Sequence, residues 1–258
     1  MSRFFAPGCV RRLVAPALLG AVLQWPTPPS ALAAQSTAIV AAEANQPTDP
    51  LDVGSFTIFV DAQRAGREQF SLRRMTTADG ATIELRSESA VGDRRSAVRL
   101  EADSAGTPLR YSVEERTGAT VSLRLGGQRV RGRFTTLSRS VTGEAAREYL
   151  LSPGALVLED EGLLQYALLV RARALAAGDS TTIPVLTPIA NRQGTILLAL
   201  QATSDTVVIA GSRRVAQRWR IVAHGGEERL IWADLDGRLL RVRIAARRFE
   251  ALRDDIPR

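Results

Sequence analysis

The sequence has no lysine, one cysteine and one histidine among its 258 residues. Each shortage removes a class of chemistry. Cys9 lies in an N-terminal segment that reads as removable, so the rest of the chain can form no disulfide and offers no thiol nucleophile. Cys9 also precedes the apolar run, too early for lipoprotein acylation. A metal site built on His224 would need partners, yet no second histidine and no remaining cysteine can supply them. Serine hydrolase chemistry needs a histidine within reach of the serine, often with a Gly-x-Ser-x-Gly elbow, and that elbow is absent. No glycine-rich phosphate loop precedes the expected helix either, because the segment there is acidic, LLSPGALVLEDEG. The sequence therefore predicts no catalytic residue, no metal and no cofactor.

Residues 1–33 read as a signal peptide. Arg3, Arg11 and Arg12 form a positive start, Leu13 to Trp25 is mostly apolar, and Ala31-Leu32-Ala33 fits signal peptidase. The run is short of the ~20 residues of a membrane span, and Pro16, Pro26, Pro28 and Pro29 interrupt it. The expectation is export to the periplasm or beyond, with no stable span after cleavage. Residues 34–52 read as a flexible leader and 53–250 as one antiparallel β domain.

The net charge of +7 invites a nucleic-acid reading. Without the three arginines of the signal segment, 31 arginines face 27 acidic residues, a balance of only +4. Basic and acidic side chains are interspersed along the strands, as in SVEER and GEERL, and the all-arginine basic set looks compositional. Nucleic acid is not an expected partner.

From Val53 to Phe134 short runs alternate apolar with charged residues, separated by glycine-containing turns placed at Gly66, Ala78–Gly80, Thr117-Gly118 and Gly126-Gly127. This pattern predicts an antiparallel meander with one packed and one wet face. The alternation breaks once, in LVLEDEGLLQYALLVRARALAAGD. Glu159, Asp160 and Glu161 suit a helix N-terminus, Arg171 and Arg173 its C-terminal half, and apolar residues cover most of its girth. A largely buried helix near 158–176 is predicted, followed by a second meander. The expected fold is mainly β: a curved antiparallel sheet, half-barrel-like, wrapped around one central helix.

RLIWADLDGRLLRVRI, Arg229 to Ile244, holds the closest thing to a chemical motif, Asp234 and Asp236 beside a glycine. A calcium loop would need alternating oxygen ligands and a late glutamate, and here Arg238, Arg241 and Arg243 follow instead. The same stretch echoes an earlier one. In LEADSAGTPLR and IWADLDGRLLR, Asp103 aligns with Asp234, Gly106 with Gly237 and Arg110 with Arg241. A turn used twice is the reading this favours, and His224 beside Gly225-Gly226 reads as a hairpin end.

From Leu156 to Ile244 the order of acid-then-apolar helix, Gly178-Asp179, alternating strands and final hairpin resembles an exported bacterial family labelled only as domain of unknown function 3108. The resemblance implies a sheet curled around one helix, similar to the half-barrels of periplasmic lipoprotein carriers, and brings no catalytic residues. Tyr166 and Val170 on the helix, with Trp219 and Trp232 on late strands, are the candidate lining of an apolar cleft between helix and sheet. The functional expectation is a non-catalytic envelope protein that binds a lipid, an acyl chain or a protein partner. A role in assembly by strand addition at a sheet edge is the alternative, and an enzyme with an unrecognised site a third.

Overall fold

The structure, a computed structural model, describes residues 48–77, 80–160, 162–171 and 175–257. The expected signal segment and the start of the leader lie outside these residues, as do Ala78-Asp79, Glu161 and Arg173. Strands β1 (Thr48–Val60), β2 (Gln63–Thr77), β3 (Gly80–Val91), β4 (Arg94–Asp103), β5 (Pro108–Thr117), β6 (Thr120–Val130), β7 (Arg133–Ser140) and β8 (Gly143–Leu150) form an antiparallel meander. After β9 (Leu156–Val157) and helix α1 (Gln165–Arg171) comes a second meander. Its strands are β10 (Ser180–Thr187), β11 (Arg192–Ile209), β12 (Ser212–Val222), β13 (Glu228–Ala233), β14 (Leu239–Ile244) and β15 (Phe249–Arg253). All fifteen strands belong to one curved, open sheet.

The meanders join where the first and last strands pair, Phe56 opposite Arg253 and Val60 opposite Phe249. An interior ion pair reinforces this seam. The Arg253 guanidinium donates bidentately to Asp52, at 2.9 and 2.8 Å, with both residues fully buried. It also donates to the carbonyls of Leu239 and Val53 and lies over the Phe70 ring at 5.1 Å. Beyond β15, Asp254 accepts from the hydroxyls of Ser55 and Thr57 and from Arg67, so the C-terminal segment laces β1 and β2 together.

The opposite margins, β8 and β9, share no ladder. Side chains reach across instead: the Tyr149 hydroxyl donates to Asn191 Oδ1 at 2.8 Å, and Gln193 Nε2 to the Leu150 carbonyl at 2.9 Å. Pairing is antiparallel throughout except that β9 runs parallel to β10. Inward side chains of both meanders, from Phe56 to Ala251, share one core with the helix. A second, smaller cluster of Val207, Ile209, Ala216, Trp232 and Leu240 lies on the outer face. There β11 departs from regular register between Leu200 and Asp205.

Several expected boundaries move. The described helix is Gln165–Arg171, and Leu158 to Asp160 before it are not helical. Leu156 and Val157 pair with β10, Leu158 N–H donates to the Leu186 carbonyl, and Glu159 N–H donates to Gln165 Oε1. The first strand starts at Thr48 and not near Val53. The first turn is Asp61-Ala62, both with positive φ, and Gly66 sits inside β2. Gly126-Gly127 also lie within a strand, β6. A Cβ on Gly127 would come within 2.5 Å of the Phe134 ring, so this glycine admits a neighbouring aromatic and makes no turn.

The two aligned hairpins share one hydrogen-bond pattern. Asp103 N–H donates to the Thr107 carbonyl and Gly106 N–H to the Asp103 carbonyl, while Asp103 Oδ1 accepts from the N–H groups of Ala105 and Thr107. Asp234 repeats all four bonds with Arg238, Gly237, Asp236 and Arg238. Both glycines take positive φ, 87° and 73°. The echo in the sequence is thus a turn used twice, and an aspartate is needed because its side chain satisfies two backbone donors.

Two predictions follow from the seam and the turns. Asp52→Ala leaves Arg253 buried without its bidentate partner and should cost about 3–5 kcal/mol in urea unfolding; a loss under about 1 kcal/mol would show that Asp255, which accepts from Arg253 Nη2 at 3.0 Å, alone satisfies the guanidinium. Asp103→Ala and Asp234→Ala should each cost about 1–2 kcal/mol, and by similar amounts, since each deletes an acceptor of two backbone bonds.

Candidate ligand cavities

Two cavities occupy the concave side of the sheet, one at each end of α1. The first holds about 450 Å³ and is bounded by Leu163, Gln165 and Tyr166 from the helix side, with aliphatic residues such as Ile58, Val98, Val113 and Ile244 from the sheet. The second holds about 540 Å³ and is bounded by Leu168, Val170 and Arg171, with Trp219 from β12. It lies beside both repeated turns, through Ser104 and Gly106 on one side and Leu235 to Gly237 on the other.

The wall of the first cavity carries two carboxyl groups that the sequence reading did not single out as a site. Glu68 on β2 is 2% exposed and shares the inward face with Phe70 and Leu72. Burial pushes its carboxyl up to about 8, against hydrogen bonds from Ser87 and from the backbone of Leu164 and Leu163. Those two N–H groups stand at the entry to α1, so Glu68 supplies the acceptor that the acidic run was expected to give. Glu159 is pushed up to about 7, again chiefly by burial. It accepts from Ile189 N–H at 3.0 Å and from the Tyr111 hydroxyl at 3.3 Å. Burial and the neighbouring Glu159 together hold the Tyr111 phenol well above its usual range. Burial thus favours the neutral forms of Glu68, Glu159, Tyr111 and Tyr166, while Arg94, Arg95 and Arg247 bring positive charge to the same wall.

Beneath this set lies Arg229 of β13, 2% exposed, which ties the helix to its entry segment. It donates to the Tyr166 hydroxyl at 2.6 Å, to Asp160 at 2.9 Å and to Glu227. Arg247 closes the same network onto Glu227 and the Asp160 carbonyl. Asp160 thus serves as a counter-ion and does not cap a helix.

The four lining residues expected from sequence separate. Tyr166 faces the first cavity, and Val170 and Trp219 face the second. Trp232 lines neither and sits on the outer face, a correction to the expected pocket between helix and sheet. The register explains it: Trp219 stands opposite Ile231, so the adjacent Trp232 must point away, opposite Arg218. Its indole N–H donates to Asp205 at 2.9 Å and Arg241 stacks on its ring at 4.8 Å. Asp234 is engaged in its turn, and Asp236, largely exposed, pairs with Arg238 at 3.0 Å. His224 lies in the short 3₁₀ segment His224–Gly226, and its side chain is outside the described residues. Among the described residues no group of three or more histidine, cysteine or carboxylate side chains is placed to hold a metal ion. No helix among them is long and apolar enough to cross a membrane.

The class that fold and cavities define is an open, curved antiparallel sheet enclosing one short helix. No family model matches the chain, and no curated protein matches it. Among solved structures it is similar to the crystal structure of a DUF1089 family protein from Pseudomonas aeruginosa. The match is 11% identical, covers 87% of this chain and 95% of the other, and has a TM-score of 0.41. That neighbour is itself of a domain family of unknown function, and a different one from family 3108. A likeness at this level says nothing about ligand or activity.

The buried carboxyls make stability depend on pH. An acid whose folded pKa is raised binds its proton more tightly in the folded state, so its contribution is fully present below the unfolded value of about 4.5. It is lost as pH rises through about 7 for Glu159 and about 8 for Glu68. Unfolding free energy should fall across pH 5 to 8, by up to about 1.4 kcal/mol per pH unit for each group. Glu68→Gln should flatten the upper part of that slope; an unchanged profile in the variant would show that Glu68 is ionised in the folded protein.

Proposed function

We propose that this chain is an exported, non-catalytic protein of the bacterial cell envelope that binds an apolar ligand, a lipid or acyl chain, in the cavity at the N-terminal end of α1. One observation carries the reading: a space of about 450 Å³ against the concave face, with an apolar wall of Ile58, Val98, Val113, Leu163, Ile244 and Phe249 and charged residues such as Arg94, Arg95 and Arg247 also lining it. Small-molecule sites are commonly of this size and character, with a few polar groups that fix orientation. Glu68 and Tyr166, among the most deeply buried polar groups there, suit the neutral polar end of such a guest. A protonated Glu68 and the Tyr166 phenol, whose oxygen accepts from Arg229 and leaves its proton free, offer donors to an ester or acid carbonyl. Export rests on the N-terminal sequence, and the likeness to family 3108 on the order of elements from Leu156 to Ile244.

Strand addition at the free edge is the second reading, favoured by β8, whose outer side has no partner strand. Glu144, Arg147 and Glu148 along that strand weigh against it, since edge charges discourage pairing.

Organic extraction of the purified protein followed by mass spectrometry should release a lipid, and the emptied protein should take up a neutral fluorescent undecanol probe. Val98→Trp, which fills the cavity from β4, should weaken uptake about tenfold or more at retained thermal stability. Clean protein from several preparations with no probe uptake would count decisively against the reading.

A further inference from the structure

Two residues lining the second cavity carry buried donors with no acceptor among the described residues. Arg171, the last residue of α1, is half-buried against solvent, and its Nε and Nη2 nitrogens are enclosed with no hydrogen-bond acceptor. Trp219, 2% exposed, has an indole Nε1–H in the same condition. Both residues line the one cavity of about 540 Å³. Buried polar groups are nearly always satisfied, and an unmade hydrogen bond from a charged donor is the most costly kind. The nearby carboxylates are already engaged: Asp52 by Arg253, Asp234 by its turn and Arg238, and Asp236, itself in the cavity wall, by Arg238. Burial works against the Arg171 charge, and the fields of Asp52, Asp234 and Asp236 help to hold it.

The free pair on Arg171 has a specific shape. Nε–H and Nη2–H are the two parallel donors on one side of the guanidinium plane, the fork that receives both oxygens of an oxyanion. The hairpin turn holds that fork in place. Gly237 packs so closely on the Arg171 stem that a Cβ there would come within 2.7 Å of Cγ. Around the donors the wall is apolar on one side, with Leu51, Ile83, Leu168 and Leu175.

We propose that this cavity is a second binding site, independent of the acyl-chain cavity, which takes an oxyanion borne on a short apolar body, its oxygens bridging the Arg171 fork and the Trp219 indole N–H. A carboxylate and a phosphate monoester share this chemistry.

Octanoate, octyl phosphate and octanol, titrated into Val98→Trp protein with the first cavity filled, test the proposal by calorimetry and by the Trp219 indole N–H resonance, assigned with Trp219→Phe. Octanoate, octyl phosphate or both should bind and shift that resonance downfield, and the stronger of the two identifies the oxyanion. Octanol should bind at least tenfold more weakly. Arg171→Met should weaken anion binding at least tenfold, and Trp219→Phe by a smaller factor. Should Arg171→Met not fold, the comparison of anions with octanol at the Trp219 resonance decides the matter in protein that retains Arg171. Octanol binding as tightly as both anions, or neither anion moving the Trp219 resonance, would overturn the second site while leaving the neutral undecanol result for the first cavity unaffected.

Discussion

The molecule depends on the pairing of its first strand with its last. Two meanders separated by a helix would otherwise be two sheets, each with an exposed edge and half a core. Antiparallel bonds between β1 and β15 make them one surface, and the bidentate Arg253–Asp52 pair sits on the concave side of that seam. A buried ion pair of this kind is a poor source of net stability but a strong source of specificity, because either partner left alone is heavily penalised. The seam thus selects one register between chain ends two hundred residues apart, and it cannot form until the second meander exists.

The concave face is otherwise apolar, and the polar residues that interrupt it do distinct work. Glu68 receives the backbone of the helix entry, Arg229 binds Tyr166 and Asp160, and Glu159 receives Ile189 N–H and Tyr111. These groups locate a seven-residue helix that could not persist alone in water. The same bonds that hold the helix shape what remains of the interior into two spaces of different polarity.

Much of this architecture was legible in the chain. Alternation located most strands of both meanders, and the all-round apolar character of the helix announced its burial. The Asp103 and Asp234 alignment marked equivalent turns, because an aspartate that satisfies two backbone donors leaves a fixed spacing to its glycine. Glycines misled where they serve an approach, as at Gly127 under Phe134, since a strand glycine and a turn glycine look alike without the partner strand. Trp232 misled because both faces of β13 are covered, so burial there did not imply the inner face. The buried charges of the interior carry a signal in strand parity. Glu68 falls in step with Phe70 and Leu72, Arg229 with Ile231 and Ala233, and Arg253 with Ala251 and Phe249. A charge in the apolar parity of a strand is a buried charge, and it marks the interior more surely than any acidic motif in a turn.

The sheet's failure to close has a consequence for size. In a barrel the backbone ladder runs full circle, so the circumference is set by the whole number of strands and their stagger. Here the margins β8 and β9 share no ladder, and Tyr149, Asn191 and Gln193 span the gap with side-chain hydrogen bonds. Two such bonds amount to about 1–3 kcal/mol, far less than a strand's worth of pairing. The girth of this protein is therefore a continuous variable held by a light clasp, while the welded seam across from it acts as the spine of the cover.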